Sequence, residues 1–226
     1  MTRPAVVGVV GSRIGAAAAA EIGYGRRELD AYDLGCMVAL ARAGMAPVGI
    51  GSLEPVADQV LDVVDGLVLS PAGRCAGPGP RAALHPAPTV RALVREARRR
   101  RVPVLAICGG IAGLLAPPAD GGSVAVASAV GGSEVPQSVQ VVDLALQEVL
   151  GGEVAVALPH LPRGPAAADG LAVAAVAGDG SVAALSGTTV PVLAVWWHPE
   201  SLPAGDPARE GVFRWLRRSI AARVGG

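Results

Sequence analysis

The chain has 226 residues, of which 19 are basic and 19 acidic, so its formal charge is zero, and 51% of it is apolar. That balance excludes the basic footprint of a nucleic-acid binder, and that apolar content excludes a disordered chain. Aromatics make up only 3%, and Lys and Asn are absent, so the core is built from small aliphatic contacts and the Arg-only basic set is read as a coding bias. In chain order, Ala5 to Val10 is a β-branched apolar run ending at Gly11-Ser12 and predicts a first parallel strand. Residues 13 to 28 show no period and read as irregular. From Leu29 to Ala43, apolar residues at 34, 37, 38 and 41 have the spacing of one helical face, which Gly44 ends; Cys36 is expected in the core. Ala46 to Ile50 predicts a second strand, Pro55 to Leu61 a short helix and Gly66 to Leu69 a third strand.

Ser70 to Pro88 is rich in Pro and Gly and reads as a long loop, a place where function is often carried. It holds Cys75, read as a surface thiol, and His85, read as a loop residue. The next helix has Val90, Leu93, Val94 and Ala97 on one face and ends in the run Arg95-Glu-Ala-Arg-Arg-Arg-Arg101. Cations there face the helix C-terminal dipole, so the run is read as a solvated helix end and not a phosphate site. Val102 to Ile107 predicts a strand, after which the βα alternation stops. Ser123 to Val130 and Glu153 to Leu158 read as strands. Leu171 to Val176 and Ser181 to Leu185 form a hairpin around Gly178-Asp179-Gly180. Pro191 to Trp196 is a last strand, and Pro207 to Ala222 a closing helix with Val212, Phe213, Leu216 and Ile220 inward. The pattern implies an α/β fold with a mainly parallel, doubly wound sheet flanked by helices, in a single domain over residues 1–226.

Three cysteines with neither disulfide nor metal-ligand spacing fit a reducing cytosol. Arg13 and Glu21 interrupt the apolar N-terminus, and the long uncharged stretches contain Pro and Gly, so neither a signal peptide nor a membrane span is expected.

The chemistry concentrates in two segments. Val-Pro-Val-Leu-Ala-Ile-Cys108-Gly109-Gly110 reads as a buried strand stopping at a cysteine, then a sharp turn into an apolar helix from Ile111 to Leu115. A thiol held at such a turn meets the backbone N–H groups of the next element, which favour a thiolate and can hold an oxyanion. Ninety residues on, Trp197-His198-Pro199-Glu200 supplies a base and, two residues later, a carboxylate to orient it.

Together these segments resemble the class I glutamine amidotransferase superfamily, and within it the peptidase C26, γ-glutamyl-γ-aminobutyrate hydrolase branch. That branch has Pro-Val-Leu-Gly-Ile-Cys-x-Gly at its nucleophile and Trp-His-Pro-Glu as its second signature. Asp65-Gly66-Leu67-Val68-Leu69-Ser70-Pro71-Ala72-Gly73 resembles its strand and oxyanion loop, and Asp179-Gly180 its Asp-Gly hairpin. The resemblance implies a flavodoxin-like three-layer fold. It implies Cys108 as nucleophile, His198 as general base and then acid, and Glu200 as the group that fixes the imidazole. Oxyanion donors would be the N–H groups of Gly109 and of Ala72 or Gly73, Ala72 standing where the family has Gly. His160 falls near a family Ser-x-His segment that lines the substrate pocket, and Trp197 is expected to pack. No metal and no cofactor are implied.

The substrate-binding positions depart from the family. Ala112 stands where users of glutamine have Gln, and Leu158 stands in place of the Ser before the pocket His. Gly121-Gly122-Ser123-Val124 lacks the family's following Gln-Asp, and the hairpin Glu is replaced at Ala183 or Ala184. A polar substrate end facing Ala and Leu would be unpaired, at about 1–3 kcal/mol per group. The expectation is therefore a hydrolase of a C–N amide bond in a small molecule, with an acyl group less polar than free glutamine. The rival readings are a glutaminase subunit handing ammonia to a separate synthetase, and a non-catalytic scaffold, against which the intact Cys-His-Glu set argues.

Overall fold

The computed structural model describes residues 3–51, 57–70, 88–115, 135–158 and 170–225. The first half forms β1 (Val6–Val10), β2 (Ser12–Ile14), α1 (Ala16–Glu21), β3 (Leu29–Ala31), α2 (Leu34–Arg42), β4 (Ala46–Ile50), α3 (Ala57–Val63), β5 (Gly66–Leu69) and α4 (Pro88–Arg99). Then come β6 (Val104–Ile107), α5 (Ile111–Leu115), β7 (Val135–Val141), α6 (Leu144–Leu150), β8 (Glu153–Leu158), β9 (Leu171–Ala177), β10 (Val182–Gly187), β11 (Val192–Val195) and α7 (Pro207–Gly225). Nine strands make one sheet in the order β4-β1-β5-β6-β11-β10-β9-β7-β8. The block from β4 to β11 is parallel. From β11 outward every pairing is antiparallel.

The parallel strands β5, β6 and β11 are buried at every position, as strands covered on both faces must be. Their Val, Leu, Ile and Ala runs satisfy that need without a polar interruption. The antiparallel strand β8 alternates between exposed and buried residues from Glu153 to Val156, the pattern of a strand with one solvated face. α2 packs on β1 and β4, α3 packs on α4, and α7 packs on α6 and β8. The α/β architecture with a mainly parallel central block is as expected, and so are the hairpin β9–β10 and the inward set Val212, Phe213, Leu216 and Ile220 of α7.

Several elements differ from expectation. Residues 13–28 are not irregular: β2 pairs with β3 in a small antiparallel sheet, Ser12 opposite Ala31, and α1 lies between them. Three-residue strands are too short to show a period. Leu29–Ala31 is accordingly strand, and the helix begins at Leu34, where the Asp33 side chain caps it by accepting from the Cys36 N–H at 2.8 Å. The face of α2 also differs. Leu34 and Val38 are exposed, at 74% and 38%, whereas Cys36, Ala39 and Leu40 are buried. In a nine-residue helix rich in apolar residues more than one stripe fits the helical spacing, and contact with β1 and β4 selects the one that is buried.

β7 and α6 were not foreseen. α6 is capped by Asp143, which accepts from the Leu146 N–H at 2.9 Å and from the Ser186 hydroxyl at 2.6 Å. The expected strand from Ser123 to Val130 lies outside the described residues, as do Cys75 and His85. At the end of α4 the arginine run is an ion-pair cluster. Arg100 reaches Asp58, Asp62 and Glu96, and Arg99 also grips Glu96, whose carboxyl is held down to about 2 by the two guanidinium groups. No described helix is long and apolar enough to cross a membrane.

Candidate active site

β6 and β11 are parallel neighbours with Ile107 opposite Val195. Their C-terminal ends therefore open side by side. Cys108 follows Ile107 directly, and His198 follows Val195 by three residues, so the register alone carries two distant segments to the same edge. β5 ends on that edge too, Leu69 standing opposite Ala106. The loop after Ser70 thus leaves the sheet beside Cys108; Ala72 and Gly73 themselves lie outside the described residues.

The turn at Cys108 is sharp. Its φ is 45°, in the left-handed region that side chains other than those of Gly, Asn and Asp rarely occupy. Strain of this kind persists only where the surroundings over-determine it, and it clusters at functional sites. The surroundings here are plain. Cys108–Gly110 is a 3-10 turn that runs straight into α5, and a Cβ at Gly110 would collide with the Leu69 carbonyl oxygen. Only glycine lets the turn press against the end of β5. The Cys108 side chain is partly exposed, in contrast to Cys36, which is fully buried.

After β11 the chain passes Trp196 and Trp197 and enters a second 3-10 turn, Pro199–Ser201. Trp197 is 1% exposed and packs, as expected. The turn folds Glu200 back toward the residue two before it, so that His198 Nδ1 lies 2.6 Å from Glu200 Oε1. The imidazole is also in hydrogen-bond contact with the Cys108 thiol. Burial alone would push the imidazole down, but contact with Cys108 and then Glu200 outweighs it and raises His198 from 6.5 to about 10. At neutral pH the ring is therefore an imidazolium, with its two N–H groups directed at a sulfur and a carboxylate. The Glu200 side chain is 5% exposed, so this carboxylate interacts with the imidazole in a poorly screened setting.

The structure thus brings Cys108, Gly109, His198 and Glu200 together. Ala112 lies in α5, four residues beyond Cys108. Leu158 is elsewhere: it closes β8, the outermost strand, with β11, β10, β9 and β7 between β8 and β6, and it is fully buried. His160 lies outside the described residues. Ala183 and Ala184, where the family's hairpin Glu was sought, are buried in β10.

Sequence reasoning missed the ground beneath Glu200. The first turn of α2 meets the Pro199–Ser201 turn. Asp33, Cys36 and Glu200 each place a polar atom within 4.8 Å of the other two. A Cβ at Gly35 would stand 3.3 Å from Glu200 Cγ and 2.9 Å from Asp33 Oδ1. A glycine in the first turn of a helix was the available signal, but nothing in the sequence ties it to residue 200.

A doubly wound sheet whose central strand ends in a strained cysteine turn, beside a His-x-Glu segment from the neighbouring strand, defines the class I glutamine amidotransferase fold. Two solved structures share it. A protein from Thermoplasma acidophilum, described as a subunit of GMP synthase, superposes with a TM-score of 0.67 at 16% identity, over 100% of this chain and 98% of that one. The glutaminase domain of Trypanosoma brucei CTPS, with bound acivicin, superposes with a TM-score of 0.60 at 13% identity, over 98% of this chain and 94% of that one. No curated protein matches the chain in sequence. The sequence pattern of peptidase C26 matches residues 5–200, and the chain belongs to that family.

Proposed function

We propose that the protein is a cysteine hydrolase of a C–N amide bond in a small molecule. Membership of the peptidase C26 family supports a glutamine-amidotransferase-like amide hydrolase. The observation that carries the finer reading is Cys108, held at φ 45° and in contact with an imidazole whose other nitrogen is bound to Glu200. In this reading Cys108 Sγ attacks the amide carbonyl, forming a C–S bond and an oxyanion that the Gly109 N–H receives, with Ala72 or Gly73 as the second donor. The C–N bond then breaks, and His198 gives its proton to the departing amine. Water, deprotonated by His198, attacks the thioester; the C–S bond breaks, and the acid and the free thiol are restored. Glu200 fixes the ring and stabilises the imidazolium in both halves.

The acyl group is less polar than glutamine, because Ala112 stands where a Gln would meet the amino-acid end of the substrate. The test compares γ-glutamyl-p-nitroanilide with a less polar acyl p-nitroanilide, using wild type and Cys108→Ala. Release of p-nitroaniline that falls to background in the variant is expected, with the less polar substrate preferred. Equal release by both proteins would overturn the role of Cys108, and a preference for the γ-glutamyl substrate would overturn the inference from Ala112. A second reading, a glutaminase that passes ammonia to a separate synthetase, draws on the likeness to a CTPS glutaminase domain and to a GMP synthase component. Activity that appears only with a co-purifying protein would favour it.

A further inference from the structure

Glu200 has two carboxylate oxygens. Oε1 is occupied by His198 Nδ1 at 2.6 Å, but Oε2 is buried and has no hydrogen-bond partner among the described residues. The neighbour with a proton to offer is in the trio Asp33, Cys36 and Glu200, whose polar atoms lie within 4.8 Å of one another. Ionised Asp33 and Glu200 only accept; within that trio the Cys36 S–H is the donor.

We infer that Cys36 is a positioning residue for Glu200: its neutral thiol, seated between two carboxylates, donates to Oε2 while Oε1 receives the His198 N–H, so the row Cys108–His198–Glu200 continues into the first turn of α2. Three features of that turn serve this contact. Asp33 Oδ1 accepts the Cys36 N–H at 2.8 Å and pins the backbone that carries the thiol. Gly35 lacks the Cβ that would crowd both Asp33 and Glu200. Cys36 is itself fully buried, and burial first, then the charges of Glu200 and Asp33, drive its thiol far above the ordinary range, so it keeps its proton and is no second nucleophile. A carboxylate held at both oxygens has a fixed plane and fixes the imidazole plane with it.

The inference rests on the proposed role of Glu200, but its test needs no substrate. Cys36→Ser keeps a donor; Cys36→Val keeps the bulk and loses it. Two signals are read in proteins shown by thermal melting to be folded. One is the low-field proton resonance of the His198 Nδ1–H bond. The other is the rate at which iodoacetamide alkylates Cys108, followed by peptide mass so that Cys75 is counted separately. Cys36→Ser is expected to match wild type in both. Cys36→Val is expected to shift the resonance upfield and to slow alkylation about tenfold, the equivalent of one hydrogen bond to a charged group. A Cys36→Val protein with an unshifted resonance and an unchanged rate would overturn the inference, as would equal changes in both variants, which would mean packing alone. Should Cys36→Val fail to fold, Cys36→Ala carries the same readout. If no amide is hydrolysed while both signals respond as stated, the functional reading falls and the role of Cys36 stands.

Discussion

His198 stays protonated about three and a half pH units beyond an ordinary histidine, from 6.5 to about 10, because the pull of Cys108 and Glu200 exceeds the penalty of burial. The sign of the linked stability follows. Between those two values the folded chain holds a proton that the unfolded chain has released, so stability falls as pH rises through that window. The contribution is complete below about 6.5 and is lost as pH passes about 10. Glu200→Gln removes one of the two attractions. Its His198 midpoint, read from imidazole NMR resonances, is expected to fall below that of wild type, and its stability to fall less steeply across the same window. A midpoint equal to that of wild type would show that Glu200 does not govern the ring. The same residue scale explains Asp65. Burial works against its charge, but two hydrogen bonds from Arg3, at 2.7 and 2.9 Å, and one from the Val6 N–H hold it ionised below the usual carboxylate range.

α2 is the element whose sequence and packing diverge, and it makes a direct test of burial against pattern. Leu34 and Val38 sit on a helical spacing that suggests a core face, yet both are exposed, while Leu40 is fully buried. Leu34→Ser and Val38→Ser are expected to change unfolding free energy by no more than about 0.5 kcal/mol, as surface substitutions do. Leu40→Ala is expected to cost about 2–5 kcal/mol. Chemical denaturation of the three variants decides the matter, and a costly Leu34→Ser would restore the other face. The turn before α5 shows the opposite case, where sequence and packing agree. The Gly109-Gly110 pair after an apolar run announces a tight strand-to-helix turn, and the close approach to the Leu69 oxygen is the reason that no larger residue fits at Gly110.

Across the whole molecule the sheet changes character at β11, parallel on one side and antiparallel on the other. The buried residues nevertheless form a single cluster, from Val7 on one flank through Ile107 and Val195 to Val156 on the other. We therefore propose that the chain is one folding unit, as its linker-free sequence suggests. Calorimetry is expected to give one transition whose calorimetric and van't Hoff enthalpies agree. Two transitions would divide the parallel and antiparallel blocks into separate units. The active edge lies where the blocks meet, because β11 pairs with β6 on one side and with β10 on the other.

By itself the sequence determined the elements whose signals are local: the buried runs Gly66–Leu69, Val104–Ile107 and Glu153–Leu158, the Asp-Gly hairpin, the closing helix and its inward face, and the two segments that carry Cys108, His198 and Glu200. Each rests on periodicity, turn chemistry or a contiguous motif within a few residues. Other features were left to the tertiary structure. The stripe of α2 that is buried depends on which strands lie beneath it. The tiny β2–β3 pair needs two segments to find each other, since neither is long enough to show a pattern alone. The environment of Glu200 joins residues 33 to 36 with residue 200 through contact between a helix and a turn that no local interaction encodes. The charge state of His198 likewise emerges only when a register between two strands brings a thiol and a carboxylate to the same ring.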